Sequence, residues 1–446
     1  MDATILHSFF LILSLIAVIL ILIGRFKFSP FIVLLLCAYG VGFFSGLPVA
    51  ELTPLISHDL GKTFGDVALL IIFGVLLGNI LEHSGGAVLL AEKLIFSVAR
   101  RFPTLAMGIA GYIISIPVYC DSGFILLNSI RQSVAQRVQC HPVALSVALA
   151  GGLYATHALV PPTPGPAAAT LILGISPSRV IPWALGVALL STFVAILWGK
   201  WVTRRLHEES QMVSPPSPSA SPHTKTADMP VWTAIIPILL PLLLMSMANF
   251  QTDHQADSQA SGWATFLSQP ANALFFGLLA SLPLIRQCKT GLTEIMSESI
   301  QSCAMIIFII AAGGALAGML AQTGHIARIA EGLPESLGLI LPFLIAALFK
   351  TAQGSTTVAL ISGASMVDPL LPGLGLDSEN GRLLAFLSAG CGSMMVIHAN
   401  DSYFWVVTRF SGISPATGFK SFTLASLLQA LTGLATVLLL ASLLSP

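Results

Sequence analysis

Charge is what this sequence has least of. Lys and Arg number 20, Asp and Glu number 20, and together they make up 9% of 446 residues with no net charge. A soluble globular domain carries roughly 25% charged residues, so too little polar surface exists here to face water. A balanced charge also removes the basic patch that a nucleic-acid partner needs. Cysteine is sparse: positions 37, 120, 140, 288, 303 and 391 are scattered, with no Cys-x-x-Cys. They read as small residues of an apolar interior, not as disulfides or metal ligands. There is no His-Glu-x-x-His and no Ser-His-Asp spacing, which argues against an intramembrane hydrolase, and nothing calls for a cofactor or a metal.

Apolar residues fill the gap, at 55% of the chain, and the mean hydropathy is +0.87. The expectation is an all-α polytopic membrane protein. Residues 5–23 contain no charged side chain, over a length that crosses about 30 Å of hydrocarbon. No Lys or Arg precedes that stretch, while Arg25 and Lys27 follow it. That asymmetry predicts a retained first helix with its N-terminus on the outside, the periplasmic side in a bacterium. Hydropathy marks about a dozen apolar segments, among them 66–82, 143–160, 302–321, 354–372 and 382–398. One stretch differs: "MVSPPSPSASPHTKTADMP" (212–230) is rich in Pro and Ser and has no means of forming a core. It predicts an N-terminal membrane repeat over 1–205, a mobile cytoplasmic linker over 206–230 and a C-terminal membrane repeat over 231–446.

The halves echo each other. "GVLLGNILEHSGGAVLLAEKL" (74–94) aligns without gaps to "GGALAGMLAQTGHIARIAEGL" (313–333), pairing Gly85 with Gly324 and Glu92 with Glu331. "THA" at 156–158 matches "IHA" at 397–399, and "GISP" recurs at 174–177 and 412–415. The positive residues Arg25, Lys27, Arg100, Arg101, Lys200, Arg204, Arg205, Arg286 and Lys289 mark the cytoplasmic side, and the acidic 251–269 loop the outer one. Segments 66–82 and 302–321 then run in opposite directions, so the halves are expected to be inverted copies. Inverted repeats are an architecture of secondary transporters, with the substrate site near mid-membrane between them.

Four polar clusters interrupt the apolar segments: "PVYCDSGF" (117–124), "THALVPPTPGPAAAT" (156–170), "FKTAQGSTTVA" (349–359) and "VIHANDSYFW" (396–405). Unwound backbone at membrane depth has to line a cavity or pack on protein, because lipid offers it no hydrogen bonds. Broken helices or re-entrant hairpins are therefore expected, with tips near Asp121, Ser122 and Gly123 and near Gly354, Ser355, Thr356 and Thr357. Half-helix N-termini there present free N–H groups and a positive dipole end to a carboxylate. Each residue also has a plainer reading: Asp121 as a structural N-cap, Lys350 snorkelling to an interface, His157 and His398 bonding backbone, and the Pro-Pro-x-Pro-Gly-Pro run as a kink.

On these clusters, together with "RFKFSPFIVLLL", "EHSGGAVLLAEKL", "GGALAGMLAQTG" and "HANDSYFWVVTRFSG", the whole chain resembles the gluconate permease (GntP) family of proton symporters. The resemblance implies proton-driven uptake of sugar acids such as gluconate, or of related hydroxy or amino acids such as D-serine, across a bacterial inner membrane. It also implies a homodimer embedded in lipid, with a mobile transport domain working as an elevator. Two positions depart from the family: Thr163 stands where it usually has histidine, and Lys350 where it usually has arginine. A guanidinium fork becomes a point charge there. Asp121 follows those members that carry aspartate where the gluconate transporters carry glutamate. The expected substrate contacts are Asp121, Ser122, Gly123, His157, Thr163, Lys350, Gly354, Ser355, Thr356, Thr357, Asn400 and Ser402, with the proton carried by Asp121, Asp401 or His398. Sodium coupling and a passive anion channel are the alternatives.

Overall fold

Proline sets many of the helix starts, because its missing N–H and its φ near −65° suit the first helical position. A computed structural model describes residues 28–98, 101–138, 140–206, 229–246, 259–288, 290–323, 338–399 and 401–444, with isolated positions between 10 and 26. The linker core at 212–228, Gly324, His325, Glu331 and Asn400 lie outside the described residues. The helices of the first half are α1 (Pro30–Phe44), α2 (Val49–His83), α3 (Gly86–Val98), α4 (Pro103–Ile114), α5 (Cys120–Val138), α6 (Pro142–Leu159), α7 (Pro164–Ile172) and α8 (Pro177–Leu206). Those of the second are α9 (Trp232–Ser246), α10 (Gln259–Ser268), α11 (Pro270–Ala280), α12 (Leu292–Gln322), α13 (Ile340–Gln353), α14 (Thr356–Val367), α15 (Glu379–Ser393), α16 (Ser402–Ser411) and α17 (Leu424–Leu444). No strand occurs among the described residues. Five stretches are long and apolar enough to cross a membrane: Val49–His83, Pro142–Ile172, Pro177–Arg204, Leu292–Leu320 and Pro415–Leu444. The chain is thus an all-α, multi-pass membrane protein.

Element order repeats between the halves. Leaving aside α3, α9, α10 and the four-residue helices Leu282–Ile285 and Pro415–Gly418, the order of α1, α2, α4, α5, α6, α7 and α8 resembles that of α11, α12, α13, α14, α15, α16 and α17. Packing repeats as well: α4 lies on α6 as α13 lies on α15, and α5 meets α16 as α14 meets α7. Corresponding helices meet antiparallel. On α2 and α12, Asp59 faces Gly318, Thr63 faces Gly314, and Asn79 donates to Ser299 Oγ at 2.8 Å. On α6 and α15, Tyr154 reaches Ser393 O at 3.2 Å while Leu159 lies on Gly390. On α8 and α17, Ser191 donates to Gln429 O at 3.2 Å, and Trp198 donates to Ser421 O, just before α17, at 2.8 Å.

Two arginines tie each short half-helix to the opposite half. Arg131 of α5 donates to Phe410 O at 3.3 Å, at the C-terminal end of α16, and Arg382 of α15 donates to Leu173 O at 3.0 Å, at the end of α7. Both set a cation on carbonyls at the negative end of a helix. Close backbone approach holds α4 to α6, where Gly152 packs on the Gly108 carbonyl and a Cβ there would also lie 2.9 Å from Tyr112 N. Membrane helices lack a hydrophobic drive to associate and depend on such small-residue contacts. Gly152→Val is expected to cost about 3 kcal/mol or more, read as a lower melting temperature and a reduced folded yield.

Candidate functional site

Each polar cluster coincides with a helix break. α6 ends at Leu159, and Val160 to Thr163 run without helix through Pro161 and Pro162 before α7 starts at Pro164. α13 ends at Gln353 and is capped by Gly354, whose φ of +76° excludes most side chains. Ser355 then caps α14 by accepting from Val358 N–H at 3.3 Å. α14 folds back on α13, with Gly363 against Ala346, so the two form a hairpin. α15 stops at Ser393, the chain passes through Val396 at φ 37°, and Asp401 caps α16 by accepting from Tyr403 N–H at 2.8 Å. α5 begins at Cys120 with Asp121 in its first turn, one residue inside the helix.

These breaks come together around one ammonium group. Lys350 is 1% exposed and pairs with Asp401, which is 4% exposed. Its Nζ also donates to Thr356 Oγ1 at 2.9 Å and to Gly354 O at 3.2 Å, and lies 5.5 Å from the Tyr154 ring centre. An ammonium has three protons to donate, and three acceptors take them. The polarity continues outward: Thr356 and the Tyr154 hydroxyl are 3.0 Å apart, and Tyr154 donates to Ser393 O. Such a chain spreads the charge over several dipoles. Lys350 therefore does not snorkel; its pairing with Asp401 holds it in the interior.

Asp121 faces the same centre and interacts electrostatically with both Asp401 and Lys350. Its Oδ2 meets the Cys120 thiol at 3.8 Å, and its buried Oδ1 has no partner among the described residues. His157 is buried in α6 with Nδ1 likewise unpartnered, its ring 5.7 Å from that of Tyr119. Beside Tyr119 a small cleft is lined by Gly74, Pro117, Tyr119, Pro162 and Thr163. Thr357 packs against Gly165, bringing the α14 and α7 starts together.

Other expected residues lie differently. Thr163 donates into its own loop, with Val160 O at 2.6 Å and His157 O at 3.1 Å. Ser122 lies near Glu82 of α2, and Gly123 is buried in α5 with its N–H on Tyr119 O at 2.8 Å. Ser402 is exposed at the start of α16. The two histidines matched by sequence are not equivalent in conformation. His157 is helical and buried, whereas His398 lies beyond the end of α15, half-buried, with Nε2 3.0 Å from Thr351 O. The cause is the earlier stop of α15, which has 15 residues against 18 in α6.

Two tyrosines were missed by the sequence pattern. Tyr154 and Tyr403 stack with ring centres 5.9 Å apart, and Tyr403 donates to Ala150 O at 3.1 Å. Tyr154 stands one helical turn before His157, a spacing that puts both on one face. That was the available signal.

An ion pair enclosed where interrupted helices of an apolar bundle converge is the arrangement expected of a membrane transporter, since buried intramembrane charge is costly and is commonly retained for substrate or ion passage. The chain belongs to the GntP permease family, whose profile, GntP family permease, matches residues 7–444. It is 31% identical to a gluconate permease of Pseudomonas aeruginosa over 97% of this chain and 98% of that one. It is 28% identical to the Gnt-II system L-idonate transporter of Escherichia coli, over 95% of this chain and 96% of the relative. Among solved structures, the YdaH transporter of Alcanivorax borkumensis shares the fold with a TM-score of 0.68 at 15% identity, covering 93% of this chain and 99% of that one. MtrF of Neisseria gonorrhoeae, described as one of a class of antimetabolite efflux pumps, superposes with a TM-score of 0.64 at 18% identity over 94% and 96% of the two chains. Fold alone therefore decides neither substrate nor direction.

Proposed function

We propose that the protein takes up a small hydroxylated carboxylate of the gluconate class together with protons, across the inner membrane of a bacterium. The observation that carries this reading is the Lys350 ammonium, enclosed where the α14 and α16 starts converge. A cation flanked by helix N-termini suits an anion, and relatives named for gluconate and L-idonate supply the acid class. The substrate carboxylate binds at Lys350 and at the Ser355, Thr356 and Thr357 amides. Asn400, Ser402 and the cleft beside Thr163 and His157 meet the hydroxyls. Asp121 and Asp401, the two carboxylates facing the ammonium, carry the coupled proton.

The halves act as inverted repeats, a reading supported by the antiparallel meeting of α2 with α12, α6 with α15 and α8 with α17. With the positive residues cytoplasmic, the N-terminus is periplasmic and the Pro/Ser-rich linker cytoplasmic. The protein assembles as a homodimer in lipid, in keeping with its family resemblance. Substrate class is tested by thermal shift of the purified protein against sugar acids, small hydroxy acids and D-amino acids. A ligand that binds only the native state at a hundredfold over its Kd adds about 2.7 kcal/mol of stability. Gluconate or idonate is expected to raise the melting temperature; a shift with D-serine alone moves the assignment to amino acids.

A further inference from the structure

We propose that Asp401 is an internal stand-in for the substrate's carboxylate: the incoming acid takes its place on Lys350, and the displaced Asp401 receives the travelling proton. The inference rests on the carboxylate-uptake reading above and deepens it. The Lys350 ammonium has all three of its protons engaged, by Asp401, Thr356 Oγ1 and Gly354 O. Thr356 and Gly354 belong to the hairpin that carries Lys350, whereas Asp401 comes from another element, the start of α16. A substrate carboxylate reaches the ammonium by removing the one partner that shares its own chemistry.

Charge balances at each stage. Before exchange the ammonium is paired with one carboxylate, Asp401, and Asp121, which the exchange leaves as it is, stands beside them. After it, the ammonium faces the substrate carboxylate, and Asp401 is a neutral acid with the new O–H on Oδ2. No net charge is added to a buried site, which would be costly. A carboxylate stripped of its counter-charge in such surroundings takes a proton instead of staying ionised. The geometry tolerates this, because Asp401 Oδ1 accepts from Tyr403 N–H and Oδ2 alone faces Lys350. The α16 cap therefore survives protonation. The chain from Met394 to Ala399 is not helical, with Val396 at φ 37°.

Among the described residues, the other ionisable groups facing the centre are Cys120 and Asp121 from α5, Tyr154 and His157 from α6, and Tyr403 from α16, and α14 contributes the neutral Thr356. Asp121 makes no hydrogen bond to Lys350, so it is not the group displaced; as the less enclosed carboxylate it passes the proton on.

Proton counting tests the exchange. Gluconate is added to the purified full chain in weakly buffered detergent solution with a pH indicator, and binding is measured in parallel by calorimetry. Wild type is expected to take up about one proton per gluconate bound, with affinity falling about tenfold per pH unit wherever a full proton is taken up. Asp401→Asn holds no such proton: it is expected to bind gluconate with no proton uptake and a flat pH dependence, while Asp401→Glu restores both. Proton uptake by Asp401→Asn equal to that of wild type overturns the proposal. Should Asp401→Asn not fold, wild type decides alone: pH-independent gluconate affinity overturns the exchange and leaves carboxylate uptake standing. A wild type that binds no acid of the thermal-shift screen overturns the substrate reading and the exchange together. The neutral amide of gluconate is a further wild-type control, because a proton taken up with it would also refute the exchange.

Discussion

Lys350→Met in proteoliposomes is expected to take up gluconate at least about thirtyfold more slowly than wild type. A contact to a buried charge is commonly worth 2–5 kcal/mol, and about 1.4 kcal/mol is a factor of ten. The variant should also melt lower, because removing one partner of a buried pair leaves the other charge uncompensated, at a cost of about 3–5 kcal/mol. Stability and transport are then separated by the double variant Lys350→Met, Asp401→Asn. With both charges gone the interior is neutral, and buried pairs replaced by neutral residues of similar volume are often no less stable. The double variant is expected to recover most of the melting temperature and none of the transport. Recovery of both would make the pair a packing element and place the anion elsewhere.

Asp121→Asn is expected to have the opposite profile: intact folding and lost coupling. Oδ1 has no partner among the described residues and Oδ2 meets only a thiol at 3.8 Å, so a near-isosteric amide breaks no strong hydrogen bond. The melting temperature should stay close to that of wild type. An amide neither gains nor releases a proton near neutral pH, so gluconate should equilibrate across the membrane without accumulating. Uptake of labelled gluconate under an inward proton gradient reads this directly. Accumulation at the wild-type level would remove Asp121 from the proton path.

Much of this was legible in the sequence, for physical reasons that differ by element. The breaks were visible because Gly, Pro and cap-forming Ser and Asp cannot sit at membrane depth without purpose; Gly354, Ser355 and Asp401 adopt the turn and caps their types favour. Hydropathy placed the apolar cores but understated helix length. The stretch at 66–82 is the apolar half of α2, which begins at Val49 in a stretch carrying Glu51, His58, Asp59 and Lys62. Helix formation does not end where charge begins; only hydrophobic depth does. The pairing of Lys350 with Asp401 spans 51 residues and depends on how a hairpin meets a broken helix, which no local pattern encodes. Tyr154 escaped notice because a tyrosine in an apolar helix looks like core until its hydroxyl is seen on Thr356. The matched histidines misled for a related reason: a shared His-Ala dipeptide cannot report that α15 unwinds before His398.

The most direct measurement is gluconate accumulation by purified protein in sealed proteoliposomes, with proton and sodium gradients imposed separately. The account predicts accumulation above equilibrium with an inward proton gradient, its collapse by a protonophore, and indifference to sodium. Accumulation that follows sodium and ignores the protonophore, or mere equilibration under either gradient, would contradict it.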